Sequence, residues 1–262
     1  MFDTLYDADK GFDRGLQFGD GHFTTILFKH KQPQLWPYHK QRLIAASELL
    51  EIPLPDRLLK TIEDSLLAAC REHVTGVAKI IITRGNSRQG YRLPSDCHPN
   101  WYLTTSTRPQ LNNSAVKVAV AETRLGEQPL LAGLKTLNRL EQVLLHKELK
   151  SASFDDFIVC SSNGYVTEAI QGNLFWYADG VWYTPKLDRC GVAGVMREAI
   201  IERELLPTLN IIEAKVADLC SVSSMFITNS VKGVIPVSQI HDKVINTQIP
   251  VDLKAFIDET CA

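Results

Sequence analysis

Apolar positions recur at two periods along this chain, and the switch between the periods marks out most of its elements. Phe23–Phe28 reads as a strand and Tyr38–Leu50 as a helix. Asp56 is placed to cap a second helix, whose Leu58, Leu59, Ile62, Leu66 and Ala69 fall on one face. Val77–Thr83 and Trp101–Thr105 are β-branched or aromatic and predict strands. Arg108-Pro-Gln-Leu-Asn-Asn-Ser114 interrupts the pattern with a proline and two asparagines, which predicts a linker at 109–114. Beyond it, Val116–Ala121 and Phe154–Cys160 read as strands. Leu174–Ala178 and Val181–Thr184 flank Asp179-Gly180, a strong hairpin signal. A helix over about 195–204, strands near Ile211 and Phe226, and a helix from Val251 complete the chain. There are no repeats and no low-complexity tract. The pattern predicts an α+β protein of two domains, 1–108 and 115–262, with a cleft between them.

At 262 residues the chain can bury roughly three quarters of its unfolded surface, enough for one large or two modest cores. A net charge of −2, with no run of five like charges, points away from nucleic acid and polyanions as partners. No window approaches the roughly eighteen consecutive apolar residues of a membrane span, and the first residues lack the basic start and apolar core of a signal peptide. The six cysteines are scattered without a close pair, which predicts reduced thiols, a cytoplasmic location and no structural zinc. The histidines likewise show no metal-ligand spacing.

The chemistry concentrates in Leu131-Ala-Gly-Leu-Lys-Thr-Leu-Asn-Arg-Leu-Glu-Gln142. Asn138 and Glu141 have the spacing of a capping box, predicting a helix to about Lys150 with Leu137, Leu140, Val143 and Leu144 as its apolar stripe. Lys135 then lies in the strand or loop feeding that helix, between Leu134 and Leu137. Desolvation lowers a lysine pKa, and a neutral amine can condense with an aldehyde. The same local pattern also describes an ordinary lysine reaching from a half-buried segment to water.

The run Lys135-Thr-Leu-Asn-Arg-Leu-Glu-Gln142, together with Gln17-Phe-Gly-Asp-Gly-His-Phe-Thr-Thr25, resembles the fold-type IV pyridoxal-phosphate enzymes, and the likeness continues to Val234-Ile-Pro-Val237. The resemblance implies two α+β domains with the cofactor at their interface, in a homodimer. It makes Lys135 the catalytic lysine that carries the cofactor aldehyde. It assigns Glu168, in Gly164-Tyr-Val-Thr-Glu168, to the pyridine nitrogen; the residues alone also allow a solvated turn glutamate. For the phosphate it implies the N–H groups of Val195 and Met196 in Cys190-Gly-Val-Ala-Gly-Val-Met-Arg197, the Thr228-Asn229-Ser230 turn, and Arg42. Taken singly, these are an ordinary turn, a strand-ending turn and an exposed helix arginine. His39 reads as structural.

Thr24, Thr25, Asn138 and Arg88 are the candidate substrate residues. Arg88 belongs to Arg84-Gly-Asn-Ser-Arg-Gln-Gly-Tyr91, which departs from the family's usual arginine–glycine loop by placing its second arginine one position early. The lysine run is closest to the family's lyase branch. That implies elimination of pyruvate from 4-amino-4-deoxychorismate to leave 4-aminobenzoate, a step of folate synthesis, with substrate handed over from aminodeoxychorismate synthase. A branched-chain or D-amino-acid aminotransferase is the alternative on the same scaffold.

Overall fold

The computed structural model describes residues 12–110 and 114–261, so residues 111–113 of the expected linker lie outside the described residues. The chain divides into two compact units. One holds the described residues up to Thr107 together with Lys135–Asn138; the other holds Arg108–Leu134 and the chain from Arg139 onward. The four residues from the lysine onward therefore group with the first unit, although the sequence around them builds the second.

In the first unit, helix α1 (Arg14–Phe18) leads into strand β1 (Gly21–Lys29). Strands β2 (Gln32–Pro33), β3 (Thr75–Thr83) and β4 (Asn100–Ser106) complete an antiparallel sheet ordered β2-β1-β3-β4. Two helices, α2 (Trp36–Leu49) and α3 (Asp56–Arg71), supply the apolar cover. Asp56 does not cap α3. Pro55, with extended backbone, takes that place, and Asp56 sits in the first turn, where a carboxylate complements the helix dipole. The buried face runs Leu59, Ile62, Leu66 and Cys70, against Ile26, Phe28, Leu43, Ile80 and Ile82. Full burial of side chains of this size stabilises by roughly 1.5–3 kcal/mol each, which makes this cluster the main reason the sheet and helices stay joined.

The second unit is a mixed nine-stranded sheet. Its strands are β5 (Val116–Val120), β6 (Asp156–Cys160), β7 (Val166–Ala169), β8 (Asn173–Ala178), β9 (Val181–Pro185), β10 (Leu209–Ile212), β11 (Ser224–Asn229), β12 (Gly233–Ile240) and β13 (Lys243–Val244). The order is β10-β9-β8-β11-β12-β5-β6-β7, with β13 paired to β12. Asp179 and Gly180 both take positive φ, 51° and 85°, closing the β8–β9 hairpin as the sequence predicts. Helices α4 (Leu140–Leu149), α5 (Val195–Glu202) and α6 (Val251–Thr260) flank the sheet. The predicted capping box of α4 is absent. Arg139 precedes the helix, no side chain caps it, and Glu141 instead accepts the Gly126 N–H at 2.7 Å. Of α4 only Leu145 is buried, while Leu140, Val143 and Leu144 of its apolar stripe are 71%, 60% and 48% exposed.

Candidate active site

Within the first unit, the lysine segment is held as a short added strand. The Phe23 N–H donates to the Lys135 carbonyl at 2.9 Å, and the Leu137 N–H donates to the Gly21 carbonyl at 3.0 Å. Thr136 bridges to His22 between them. Asn138 follows, exposed, its amide 3.4 Å from the Gly19 carbonyl. A Cβ on Gly19, which has φ +68°, would stand 2.2 Å from the Asn138 side chain, so this approach requires glycine. The backbone of Lys135 is thus fixed and its half-buried side chain directed, with Nζ 4.8 Å from the centre of the Phe23 ring.

A second amine meets the same ring. Lys79, opposite Thr25 across β1 and β3, places Nζ 4.5 Å from the Phe23 centroid. Sequence reasoning missed this residue. The available signal was a lone charge in the apolar strand Val77-Ala-Lys-Ile-Ile-Ile82. Phe23 and Thr25 share a half-buried face of β1, whereas Thr24 points to the other. Thr24 is fully buried and its hydroxyl is hydrogen-bonded to His39 Nδ1 at 2.6 Å, which removes it from the residues able to touch substrate. Burial pushes the His39 pKa well below its ordinary value, and the nearby positive charge of Arg42 acts in the same direction. His39 is therefore a neutral packing group. Arg42 is half-buried on α2, one turn on from His39.

The arginine–glycine loop splits into two roles. Arg84 is buried and committed: its guanidinium donates to the Leu50 and Glu51 carbonyls at 2.6 and 2.8 Å and to Asp20 at 2.8 Å. Arg14 donates to the same Asp20 oxygen at 2.7 Å. Arg88 is exposed, its guanidinium 4.2 Å from the Phe12 ring centre.

In the second unit, Glu168 lies on β7 opposite Val159 and is buried, so it is no solvated turn residue. Its Oε2 accepts the Val192 N–H at 2.8 Å, and the Gln142 amide lies 3.5 Å from Oε1. Arg139 feels this carboxylate: burial lowers the Arg139 pKa, and Glu168 and Glu141 oppose that shift. Val195 and Met196 open α5 after the extended Gly194, with no side-chain cap. N–H groups in a first helical turn have no partner within the helix, and they point where an anion is favoured. At the end of β11, the Asn229 side chain accepts the N–H groups of Val231 and Lys232 at 3.0 and 2.8 Å and donates to the Gln171 carbonyl at 2.9 Å. Its amide thus shapes the turn that presents Ser230.

Among the described residues, no group of three His, Cys, Asp or Glu side chains is placed to hold a metal, and no helix is long and apolar enough to cross a membrane.

Comparison with known proteins places the chain. The family model described as amino-transferase class IV matches residues 21–240. The chain belongs to that family. It is 35% identical to the aminodeoxychorismate lyase of Vibrio harveyi over 240 residues, 87% of this chain and 86% of that protein. The crystal structure of 4-amino-4-deoxychorismate lyase from Pseudomonas aeruginosa is similar at a TM-score of 0.88 and 36% identity, covering 95% of this chain and 93% of that one. D-alanine aminotransferase of Listeria innocua is 25% identical, over 87% of this chain and 81% of its own length.

Proposed function

We propose that this chain is a pyridoxal-phosphate-dependent lyase that converts 4-amino-4-deoxychorismate to 4-aminobenzoate and pyruvate, a step of folate synthesis. One observation carries the choice of lyase over aminotransferase: likeness to the two lyases stands at 35% and 36% identity, against 25% for the D-alanine aminotransferase. The residues fit the cofactor group by group. Lys135 suits its aldehyde and Glu168 its ring nitrogen. The N–H groups of Val195 and Met196, the Asn229–Ser230 turn and Arg42 suit its phosphate. When bound, the cofactor supplies an aldehyde for amines and a protonated ring that takes up the electrons left when carbon loses a proton.

The protein's own residues do the rest. The Lys135 amine takes the proton from the substrate carbon that bears nitrogen, and the ammonium so formed returns a proton to the departing enolpyruvyl group. Glu168 holds the proton on the ring nitrogen. Thr25, Asn138 and Arg88 form the substrate-facing polar set, and Lys79 adds a cation suited to a substrate carboxylate. Formation of an aromatic ring makes the elimination strongly downhill, so positioning is the main task of the site. The test is a product assay: purified protein, supplied with substrate made by the aminating synthase, should release pyruvate and 4-aminobenzoate in equal amounts. Transamination across a panel of amino-acid and keto-acid pairs, without pyruvate from the chorismate-derived substrate, would reassign the chain to the aminotransferases.

The same reading makes the protein a cytoplasmic homodimer that receives its unstable substrate from that synthase. In support of a dimer, the apolar stripe of α4 is exposed at Leu140, Val143 and Leu144. The double variant Leu140→Glu, Val143→Glu is expected to shift light-scattering mass from dimer to monomer at micromolar concentration. A monomeric wild type would end this part of the proposal.

A further inference from the structure

The Gly191–Gly194 turn touches two of the groups assigned above, Glu168 and the start of α5, and also Gly133. Gly133, two residues before Lys135, pairs with it: its N–H donates to the Gly191 carbonyl and its carbonyl accepts the Ala193 N–H, both at 3.0 Å. The Val192 N–H holds Glu168 Oε2 at 2.8 Å. Gly194 is the residue from which α5 starts. Glycine-bounded turns hinge easily, because glycine restricts φ and ψ so little. Here one side chain closes the turn. Asn173, 4% exposed at the start of β8, donates Nδ2 to the Val192 carbonyl at 2.7 Å and accepts the Gly194 N–H on Oδ1 at 2.9 Å. Asn173 is itself fixed by pairing with Thr228 of β11. The fit leaves no slack: a Cβ on Gly194 would lie 2.1 Å from Asn173 Oδ1.

We infer that Asn173 is a positioning residue, whose single carboxamide locks the Glu168 carboxylate, the first turn of α5 and the Gly133 backbone into one rigid frame. The inference rests on the reading of Glu168 and α5 as cofactor ligands. Its physical basis is that a carboxamide carries a donor and an acceptor on one rigid plane, so it can hold a carbonyl and an N–H of the same turn at once. Aspartate keeps the shape and the acceptor but turns an oxygen toward the Val192 carbonyl. Alanine keeps neither bond.

Two measurements on the full chain test this. Without cofactor, Asn173→Ala should speed amide exchange at Val192 and Gly194 by about 10-fold or more, the effect of losing a buried hydrogen bond, while amides of the β9–β10 pairing keep their wild-type rates. With pyridoxal phosphate bound, the ³¹P resonance of its phosphate and the ¹⁵N resonance of its ring nitrogen should both move in the variant. Unchanged exchange at Val192 and Gly194 overturns the inference. So does altered exchange with both cofactor resonances at wild-type positions, because Asn173 would then serve the fold alone. A wild type that binds no cofactor, with faster exchange in the variant, refutes the proposed function yet keeps the frame. Should the alanine variant fail to fold, Asn173→Asp carries the same test through Val192.

Discussion

Lys135→Ala is expected to lower turnover by about 10³-fold or more, since a positioned acid–base group alone contributes roughly 10²–10⁴. The loss should appear in kcat and kcat/KM together, as for a group that acts in the transition state. Wild-type protein treated with borohydride should carry the cofactor label on the peptide containing Lys135, and the variant should carry none. The expectation follows from the backbone: Lys135 is pinned to β1 through Phe23, which fixes where its side chain starts. Label on Lys79, whose amine approaches the same ring, would move the chemistry to that residue. A variant that turns over at the wild-type rate would remove Lys135 from the reaction.

The largest effect on stability is expected at Asp20. Its carboxylate lies between two guanidiniums, Arg14 and Arg84, with side-chain exposures of 4% and 8%. Removing one partner of a buried pair costs about 3–5 kcal/mol, because the remaining charge is left uncompensated. Asp20→Ala should lower the urea midpoint by a corresponding amount without changing the slope. A loss below about 1 kcal/mol would show that water compensates the arginines. The pH dependence has a definite sign. Burial pushes the Asp20 carboxyl up, but hydrogen bonds and charge from Arg84 and Arg14 outweigh it and leave the pKa lowered. This carboxylate's contribution is therefore fully present above the unfolded-chain value near 3.8 and is lost as pH falls through the lower folded value. The variant should lack that part of the acid unfolding.

Much of this architecture was legible in the residue pattern, and the failures have physical reasons. β-branched and aromatic runs located β3 and β4, and Asp179-Gly180 located its hairpin, because both signals depend on local geometry. The α4 stripe was legible as apolar, but periodicity shows only that a helix has two faces, and not what covers them. Strand β7 went unread because Val166-Thr-Glu-Ala169 holds a threonine and a glutamate, although all four residues are buried. Strand β12 was hidden by Pro236, which sits just before pairing with β5 begins at Val237. Lys135 and Glu168 were singled out only through the family resemblance of their surroundings. Lys79 belonged to no quoted motif, and only the register of β1 against β3 reveals it. Thr24 and Thr25 are neighbours in sequence, and no motif distinguishes them. The alternation of a strand does, sending one hydroxyl into the core with His39 and leaving the other half-buried on the opposite face.

The way residues 135–137 attach to the sheet carries an obligation beyond chemistry. An open strand edge offers unpaired amides and carbonyls to any passing chain and so invites polymerisation. Near Gly21–Phe23, the stretch bearing Lys135 itself occupies that edge. The proposed catalytic lysine therefore sits in a stretch that also shields the sheet from joining another chain.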